Sequence, residues 1–498
     1  MFLALAFDAL AAPYFAIKVV DESTGRGVPM VELETVSHVS FFTDSNGLVA
    51  LDDPDLLDRR VFFHIRSHGY VFPPDGLGSY GRALEVKAGE SVELKIKRVN
   101  IAERLYRMTG ASIYHDSRLL GVPAPEEHDG QVAGQDSMVA AVYGGKIFWL
   151  GGDTMRLAYP LGHFRTCVAT TPAEGLDPDR EIPLHYFSGA DGFSRGLWPF
   201  APGEAKHLLV WTDGLLVAPD RSGRPRLIAH YEVHRSLDDV AEHGLGVFND
   251  ETEVFDRIKT FERENAWQHP RGHAVTGRGA NAGYFLFRAK HEHHAPFPAV
   301  RVKATLSALS EPSTYEAFTC RRADGSIERD EADRAVWAWR RHAVPLTQTD
   351  ERALLRSGQL REEEAHYQVR DLEKRKPMDL AAGSVCWNEF RQKWVLLAQQ
   401  RGGTSFAGEI WFSEADEVTG PWRWARKIVT HQRQTFYNPV QHDFLDREGG
   451  RLIYFEGTYT NEFSGNPAAT PRYQYNQILY RLDLADPRLP NPLAPAQP

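Results

Sequence analysis

The sequence predicts an all-β protein in which a small β-sandwich precedes a β-propeller of five blades with a helical insertion. Three observations lead to this fold class. Short β-branched and aromatic stretches alternate with turn signals, the stretches after residue 110 fall into about five groups, and helical patterns are confined to residues 328–376. The chain of 498 residues exceeds the roughly 250–300 that one core supports, and a propeller accommodates this length by adding blades around a channel.

Residues 13–105 are predicted to form the sandwich. The alternating stretches Phe15–Val20, Val28–Glu34 and Val92–Val99 are typical of strands. The segments STGRGVP and TDSNG supply turn residues between strands, and Asn46-Gly47 favours the positive φ of a tight turn. This order resembles the transthyretin-like, or carboxypeptidase-regulatory-like, β-sandwich, with Thr43, Asp44 and Gly47 matching its turn. The resemblance implies a structural or adhesive module without chemistry of its own.

Residues 110–486 are predicted to form the propeller. Its strand groups are Met138–Tyr143 with Lys146–Leu150; His207–Trp211 with Leu215–Ala218 and Arg226–His234; Gly283–Arg288 with Val300–Leu306; Ser384–Phe390 with Lys393–Ala398 and Gly408–Ser413; and Val440–Asp446 with Arg451–Gly457 and Tyr475–Asp483. Groups of two to four antiparallel strands are typical of blades. A seven-bladed propeller is the alternative, if long loops contain further short strands.

Residues 328–376 differ from the rest because charges of both signs recur at helical spacing. The predicted helices are Asp330–Arg341, Asp350–Ser357 and Glu362–Lys374, with Thr349 as the N-cap of the second. We interpret this segment as an insertion between the third and fourth blades that could cover one end of the channel. The tail, residues 487–498, is rich in proline and is predicted to be irregular.

Composition excludes several classes of protein. The formal net charge of −10 argues against a nucleic-acid partner, because nucleic-acid-binding proteins present a basic face. No apolar run reaches the ~18 residues of a membrane span. The three cysteines form no CxxC pair, which excludes a zinc ribbon. Residues 1–12 resemble a shortened signal peptide, with a buried first strand as the alternative, and we therefore expect a periplasmic or secreted protein.

Two aspartates are the best candidates for catalysis. Asp136 precedes the strand Met138–Tyr143, and Asp153 follows the paired strand Lys146–Leu150. Gly144-Gly145 joins these strands in a tight turn, so the start of one strand should lie beside the end of the other. Paired carboxylates perform glycoside hydrolysis, one as the acid and the other as base or nucleophile. The alternative is that one aspartate caps a turn and the other binds backbone amides.

Other candidates lie at strand ends and in loops. Glu389 is a third candidate acid, unless it only holds a hairpin turn. The candidate substrate-binding residues are Asp191, Trp198, Arg271, His273, Glu456, Arg472, Tyr473 and Tyr475. Aromatic rings suit the faces of sugars, and arginine binds carboxylates. Asp213 precedes a glycine, which favours a turn residue over a further acid.

The segment GEIWFSEADEVTGPW, residues 408–422, resembles the outer-blade hairpin of five-bladed propeller glycoside hydrolases. The pair Gly134-Gln135-Asp136-Ser137 and Gly151-Gly152-Asp153-Thr154 is similar to the acidic pair in the first blade of the endo-D-arabinanase group. The propeller region as a whole also resembles the arabinanase and xylosidase group of family 43. These resemblances imply hydrolysis of furanosidic or similar linkages in an oligo- or polysaccharide. The sequence departs from family 43 because no clear glutamate partner accompanies Asp213.

The same resemblance bears on a metal. In arabinanase-like propellers a histidine of the last blade sits in the channel near calcium or another ion, and His442 has a comparable place. The resemblance therefore implies a calcium ion in the channel beside His442. The alternative is a hydrogen-bonded core histidine, because calcium takes several oxygen ligands that one histidine cannot define.

Two other functions remain open from the sequence. A polysaccharide lyase could use His273, His442 and Tyr473, with Arg472 neutralising a uronate carboxylate. A non-catalytic carbohydrate-binding propeller could use the sandwich for docking. Unsaturated products distinguish the lyase, and binding without turnover distinguishes the binding protein.

Overall fold

The computed structural model describes residues 13–163, 165–199, 208–236, 239–262, 266–268, 271–289 and 296–490, and for residues 161–163, 266 and 271 it describes the backbone alone. Residues 1–12 and most of the tail lie outside this range, so the expectation of export stays a prediction. Within the described residues, no helix is both long enough and apolar enough to cross a membrane.

Two four-stranded sheets form the N-terminal part. Their strands are β1 (Phe15–Asp21), β2 (Glu32–Thr35), β3 (Ser40–Phe42), β4 (Leu48–Leu51), β5 (Arg59–Arg66), β6 (Tyr70–Val71), β7 (Gly81–Val86) and β8 (Ser91–Arg98). The orders are β4–β1–β8–β6 and β3–β2–β5–β7. Alternate residues of β5, including Phe63 and Ile65, are buried in a core that Ile17 of β1 and Ile96 of β8 share. The transthyretin-like assignment of this sandwich stays a prediction.

A strand from the end of the sandwich closes the propeller. β9 (Glu103–Arg107) pairs antiparallel with the last strand of the chain, where Ile478 lies opposite Arg107. The boundary at residue 105 that the sequence suggests falls inside this strand. β9 covers the outer side of β33 and becomes the edge strand of the last blade, and all five of its residues are buried.

The described part of the chain beyond β9 forms five blades, which confirms the five-bladed propeller. The strands of each blade are given from the channel outward. The first blade contains β11 (Val139–Tyr143), β12 (Lys146–Leu150), β15 (Val168–Pro172) and β16 (His185–Tyr186). The second contains β17 (Leu209–Pro219), β18 (Pro225–Ser236), β19 (Asp239–Asn249) and β20 (Val254–Thr260). The third contains β21 (Arg271–Thr276), β22 (Tyr284–Arg288), β23 (Pro298–Lys303), β24 (Glu316–Thr319) and β25 (Ala338–Arg340). The fourth contains β27 (Leu380–Asn388), β28 (Lys393–Gln400), β29 (Glu409–Ala415), β30 (Trp424–Thr430) and β26 (Arg370–Asp371). The fifth contains β31 (Thr435–Gln441), β32 (Leu452–Thr460), β33 (Asn476–Asp483) and β9.

Smaller elements connect the blades. A separate three-stranded sheet contains β10 (Val132–Gln135), β13 (Thr154–Arg156) and β14 (Tyr159–His163). The α-helices are α1 (His115–Leu119), α2 (Leu306–Leu309) and α3 (Gln348–Arg356), and the 3-10 helices are Ala266–Gln268, Gly279–Asn281, Pro312–Thr314, Glu362–Glu364, Asp443–Leu445 and Glu448–Gly450. The innermost strands β11, β17, β21, β27 and β31 contact one another in this order around the channel.

The helical insertion is only partly as predicted. Of its three helices only α3 forms, and its N-cap is Thr347, which makes a capping box with Asp350, rather than Thr349. Residues 330–341 contain turns and β25, which pairs with β24, and residues 362–374 contain one 3-10 turn followed by β26. The alternating charges pair across the segment instead of along a helix, because Arg361 Nη1 lies 3.1 Å from Asp333 Oδ2.

Candidate active site

A cavity of about 790 Å³ lies at one end of the channel and is lined by residues of all five innermost strands. Residues 328–376, which the sequence suggested as a cover, contribute nothing to this lining. Cavities of this size and position are the usual places for ligands on propellers and comparable scaffolds. The geometry of this end of the channel therefore decides what the protein can bind.

Asp136 and Asp153 face each other in the wall of this cavity. In the hairpin of β11 and β12, Val139 lies opposite Leu150, and in the adjoining ladder Gln135 lies opposite Thr154. The same register places Asp136 opposite Asp153. Their backbones are joined, because the Asp153 N–H donates to Asp136 Oδ1 at 2.8 Å and the Asp136 N–H donates to the Asp153 carbonyl at 3.2 Å.

Gly152 makes room for the Asp136 carboxylate. A Cβ atom at position 152 would lie 2.1 Å from Asp136 Oδ1, closer than two such atoms can approach. The Gly152 N–H also donates to the Asp136 carbonyl at 2.7 Å. The glycine of the GGDT segment is therefore required by the close approach of the two strands at the acid pair.

Three side chains from other blades donate to the acid pair. The Tyr437 hydroxyl donates to Asp136 Oδ2 at 2.7 Å, Tyr475 also hydrogen bonds to Asp136, and Trp211 Nε1 donates to Asp153 Oδ1 at 2.8 Å. These donors favour the ionised carboxylates. They hold both carboxyl groups in fixed orientations inside the cavity.

Burial raises the pKa of both aspartates above the usual carboxyl range. The pKa of Asp136 is raised by burial and by the charge of Glu462, against the hydrogen bonds of the tyrosines. The pKa of Asp153 is raised by burial and then by the neighbouring charge of Asp136. Ionising both of two adjacent carboxyls is unfavourable because their charges repel. The pair therefore retains one proton to a higher pH than an isolated aspartate does.

The backbone around the pair is held in an unusual conformation. Ser137, Asn438 and Tyr475 all line the cavity with positive φ angles of 45°, 50° and 59°. Such angles cost free energy for residues other than glycine and persist where surrounding contacts impose them. Here the contacts include the hydrogen bond of 2.7 Å from Asn438 Nδ2 to Ser137 Oγ, which joins the fifth blade to the first.

Further charged residues line the same cavity. Asp213 lies on β17 and accepts a hydrogen bond from the Gly272 N–H, and Glu232 of β18 lies 3.3 Å from His234. Arg288 and Arg401 bring positive charge to the lining. The predicted interpretation of Asp213 as only a turn residue is wrong, because Asp213 lies inside β17 and lines the cavity.

His273 and Tyr475 are the predicted binding residues that line the cavity. Burial and the charge of Arg288 lower the pKa of His273 to about 3, so its imidazole is neutral at pH 7. A neutral imidazole offers one donor and one acceptor, which suits sugar hydroxyls. Arg271 begins β21 beside this histidine, and its side chain lies outside the described residues.

Trp198, Asp191 and Glu389 lie outside the cavity. Trp198 is buried between the first two blades, where it stacks on Phe255 and donates to Thr212 Oγ1 at 2.8 Å. Asp191 holds an exposed turn and pairs with Arg156 at 2.8 Å. Glu389 lies in the turn after β27, at the far end of that strand from the cavity, and pairs with Arg278 at 2.8 Å. Glu389 is therefore a hairpin-turn residue, which is the alternative that the sequence analysis gave for it.

Tyr473 joins the propeller to the sandwich, and Arg472 joins it to α1. The Tyr473 hydroxyl donates to the Thr43 carbonyl at 2.7 Å and accepts from the Met30 N–H at 3.1 Å. Arg472 pairs with Asp116 at 2.5 Å. Their side chains are therefore engaged away from the cavity, which corrects their predicted role in substrate binding. The lyase hypothesis loses two of its four residues by the same observation.

His442 and Glu456 are buried together in the fifth blade. His442 Nε2 lies 3.3 Å from Glu456 Oε1, and neither side chain is among those that line the cavity. Burial lowers the pKa of His442 well below and raises the pKa of Glu456 well above their usual values, which favours the neutral form of each group. This pair does not fit calcium, which takes six to eight oxygen ligands, and no group of three or more His, Cys, Asp or Glu among the described residues could hold a metal. The metal role of His442 stays untested.

The sequence missed several residues of the site. Trp211 belongs to the second blade, and Tyr437 and Glu462 belong to the fifth. These residues lie near the acid pair only because the blades close into a ring. The sole local signal was the aromatic-rich segment around Tyr437. No spacing in the sequence indicates which blade meets which at the mouth of the channel.

No family model and no curated protein matches the chain. Solved structures with a similar arrangement include a putative exo-β-1,3-galactanase from Bifidobacterium bifidum s17, with 13% identity, a TM-score of 0.39, and coverage of 72% of this chain and 92% of that one. An exo-1,5-α-L-arabinanase from a bovine ruminal metagenomic library has 10% identity and a TM-score of 0.34, over 72% of this chain and 95% of that one. A family 43 β-xylosidase/α-arabinofuranosidase from a compost metagenome has 12% identity and a TM-score of 0.32, over 71% and 92%. Identity and TM-score are too low for these activities to be transferred to this chain.

Proposed function

We propose that the protein is a glycoside hydrolase that cleaves an oligo- or polysaccharide with the carboxyl groups of Asp136 and Asp153. One observation carries the proposal: two adjacent carboxyls, each with a raised pKa, lie in a cavity that all five blades line. Perturbed carboxyls in a cleft are typical of acid–base catalysis.

The chemistry needs one proton donor and one ionised carboxylate. The protonated member of the pair gives its proton to the leaving oxygen as the glycosidic C–O bond breaks. The ionised member removes a proton from the attacking water, or it attacks the anomeric carbon to form a glycosyl-enzyme that water then hydrolyses. Tyr437 and Trp211 hold the two carboxyls in place, and the mutual charge of the pair retains the proton that the leaving oxygen receives.

The surroundings of the pair support a sugar as the substrate. The lining combines hydroxyl, amide and charged groups with the rings of Trp211, Tyr437 and Phe463. Sugar rings present hydroxyls at their edges and C–H groups on their faces, so a mixed polar and aromatic wall suits them. The whole site is built by side chains of the propeller itself.

The test is the pair of variants Asp136→Asn and Asp153→Asn, assayed by reducing-end release on a panel that includes arabinan, galactan and xylan. We expect activity on at least one glycan, a loss of at least about a thousandfold in each variant, and unchanged melting temperatures. Glu389→Gln is the matched control, because this carboxylate is exposed in a distant turn. Full activity in either aspartate variant removes that residue from the mechanism.

Two outcomes of the same panel identify the alternative functions. When the panel also contains a uronate polymer, release of products that absorb as unsaturated uronates, with both aspartate variants active, identifies a lyase. Binding to a glycan without any release of reducing ends identifies a carbohydrate-binding protein.

A further inference from the structure

Two phenylalanine rings stand exposed beside the acid pair. Phe406 is 52% exposed and Phe463 is 67% exposed, and both line the cavity of the acid pair. Large apolar side chains in water are unfavourable, and adjacent exposed ones mark binding surfaces more commonly than single ones do. These two come from different blades, Phe406 from the connection after β28 and Phe463 from the connection after β32.

The loops that present the rings are held by internal hydrogen bonds. The Thr404 N–H donates to Glu409 Oε1 at 2.7 Å in the first loop. In the second, Gln474 Nε2 donates to Asn461 Oδ1 at 2.7 Å, and Asn461 Nδ2 donates to the Asn466 carbonyl at 3.0 Å. Fixed loops present the rings in place before a ligand arrives, which lowers the entropic cost of binding.

An aromatic path leads from the rim to the acid pair. The ring centroids of Phe406 and Phe463 lie 6.3 Å apart, and those of Phe463 and Tyr437 lie 6.2 Å apart. The hydroxyl of Tyr437 is the one that donates to Asp136. The path is therefore continuous from the catalytic carboxyl to the outer edge of the cavity, over a length greater than one sugar ring.

We propose that Phe406 and Phe463 form a stacking subsite for a sugar unit that adjoins the unit held at Asp136 and Asp153. This inference rests on the proposed function. The two rings pack on the C–H face of that unit, and the carboxylate of Glu462, beside Phe463 in the lining, accepts hydrogen bonds from its hydroxyls. The substrate class is thus a saccharide of two or more units rather than a glycoside with a small leaving group. The cavity volume of about 790 Å³ is large enough for a ligand of this size.

The experiment compares two kinds of substrate in the variants Phe406→Ala and Phe463→Ala. One is a pentasaccharide of the glycan that the panel identifies, and the other is the glycosyl fluoride of the same sugar, which has no second unit. We expect kcat/KM for the pentasaccharide to fall about three- to tenfold in each variant, whereas kcat/KM for the fluoride changes less than twofold. The matched control is Phe390→Ala, because Phe390 is 46% exposed in the distant turn after β27 and should leave both substrates unaffected.

Two results overturn the proposal. Pentasaccharide kinetics equal to those of the control show that the rings do not bind the second unit, and an equal fall for both substrates shows a general disturbance of the cavity. If wild-type protein binds a pentasaccharide of arabinose, galactose or xylose without turnover, the subsite is tested by measuring the affinity of the same variants for that pentasaccharide by calorimetry. Weaker binding in Phe463→Ala then supports the subsite, although the hydrolase assignment has failed. Unchanged binding in this variant overturns the subsite proposal, and so does the failure of wild-type protein to bind any of the three pentasaccharides.

Discussion

Trp211 Nε1 donates a hydrogen bond of 2.8 Å to Oδ1 of Asp153, and this bond joins the innermost strand of the second blade to the carboxyl of the first. Asp153 is the member of the pair whose pKa is raised by burial and by the charge of Asp136. The indole is therefore a donor that opposes both effects, because a hydrogen bond to the ionised form lowers a carboxyl pKa.

Removing this donor should move the pH profile upward. In Trp211→Phe we expect the pKa of Asp153 to rise further by about one unit, because a hydrogen bond to a charged group contributes roughly 1.5–3 kcal/mol. The protonated pair then survives to higher pH, and the basic limb of kcat against pH shifts upward. Trp424→Phe, at the start of β30 in the fourth blade, is the control and should not move either limb. A profile that stays in place contradicts the assigned role of Trp211.

Removing the charge of Glu462 should move the same limb downward. Glu462 lines the cavity and raises the pKa of both aspartates. In Glu462→Gln the pair loses its proton at lower pH, so we expect the basic limb to fall by about half a unit at low ionic strength. Added salt should shrink the difference from wild type, because screening weakens a charge effect and leaves a packing effect unchanged. Glu389→Gln serves as the control, and an upward shift contradicts the prediction.

A methyl group at position 152 should displace the catalytic carboxylate. The Cβ of Gly152→Ala meets Asp136 Oδ1 at 2.1 Å, so either the strand or the carboxylate must move. We expect kcat to fall at least about tenfold, because a small displacement of a catalytic group is costly. The control is Gly76→Ala, where a Cβ has nothing within 4 Å and activity should be retained. An active Gly152→Ala enzyme indicates that the orientation of Asp136 is less important than proposed.

Tyr473 should matter for stability and not for catalysis. Its buried hydroxyl joins the propeller to Thr43 and Met30 of the sandwich. Tyr473→Phe removes both of these hydrogen bonds, but the Met30 N–H still donates to the Thr43 carbonyl at 3.1 Å, so we expect a cost of about 0.5–1.5 kcal/mol. We expect a lower melting temperature by scanning calorimetry with kcat/KM unchanged. Tyr80→Phe is the control, because Tyr80 is 51% exposed on the sandwich. A large change in kcat/KM for Tyr473→Phe would return this residue to the substrate site.

The acid pair was predictable because it depends on local register. Gly144 and Gly145 both have positive φ, which is the geometry that a two-residue hairpin turn requires. Once this turn is fixed, every pair in the hairpin of β11 and β12 follows. The same register continues beyond the hairpin to Gln135 opposite Thr154, and it places Asp136 opposite Asp153. Two segments 17 positions apart can be related in this way without knowledge of the rest of the fold.

The helices of residues 328–376 show where pattern alone fails. Charges of both signs at helical spacing stabilise a helix only through pairs on the same face. Here Arg329 pairs with Glu364 at 3.3 Å and Arg361 with Asp333 at 3.1 Å, so the charges join distant parts of the segment. The same residues satisfy either arrangement, and tertiary contacts selected the irregular one.

The sequence by itself predicted most of the strands, favoured five blades and paired Asp136 with Asp153, because alternation, turn residues and register act over short separations. The tertiary structure alone decided which residues surround that pair. Tyr437 reaches Asp136 across 301 positions of sequence, and β9 closes the last blade from the N-terminal side. Ring closure brings the fifth blade against the first. Tyr473 contacts the sandwich and Arg472 pairs with Asp116 of α1, both away from the cavity. Contacts of this range depend on how five sheets pack around one channel, which no local pattern encodes.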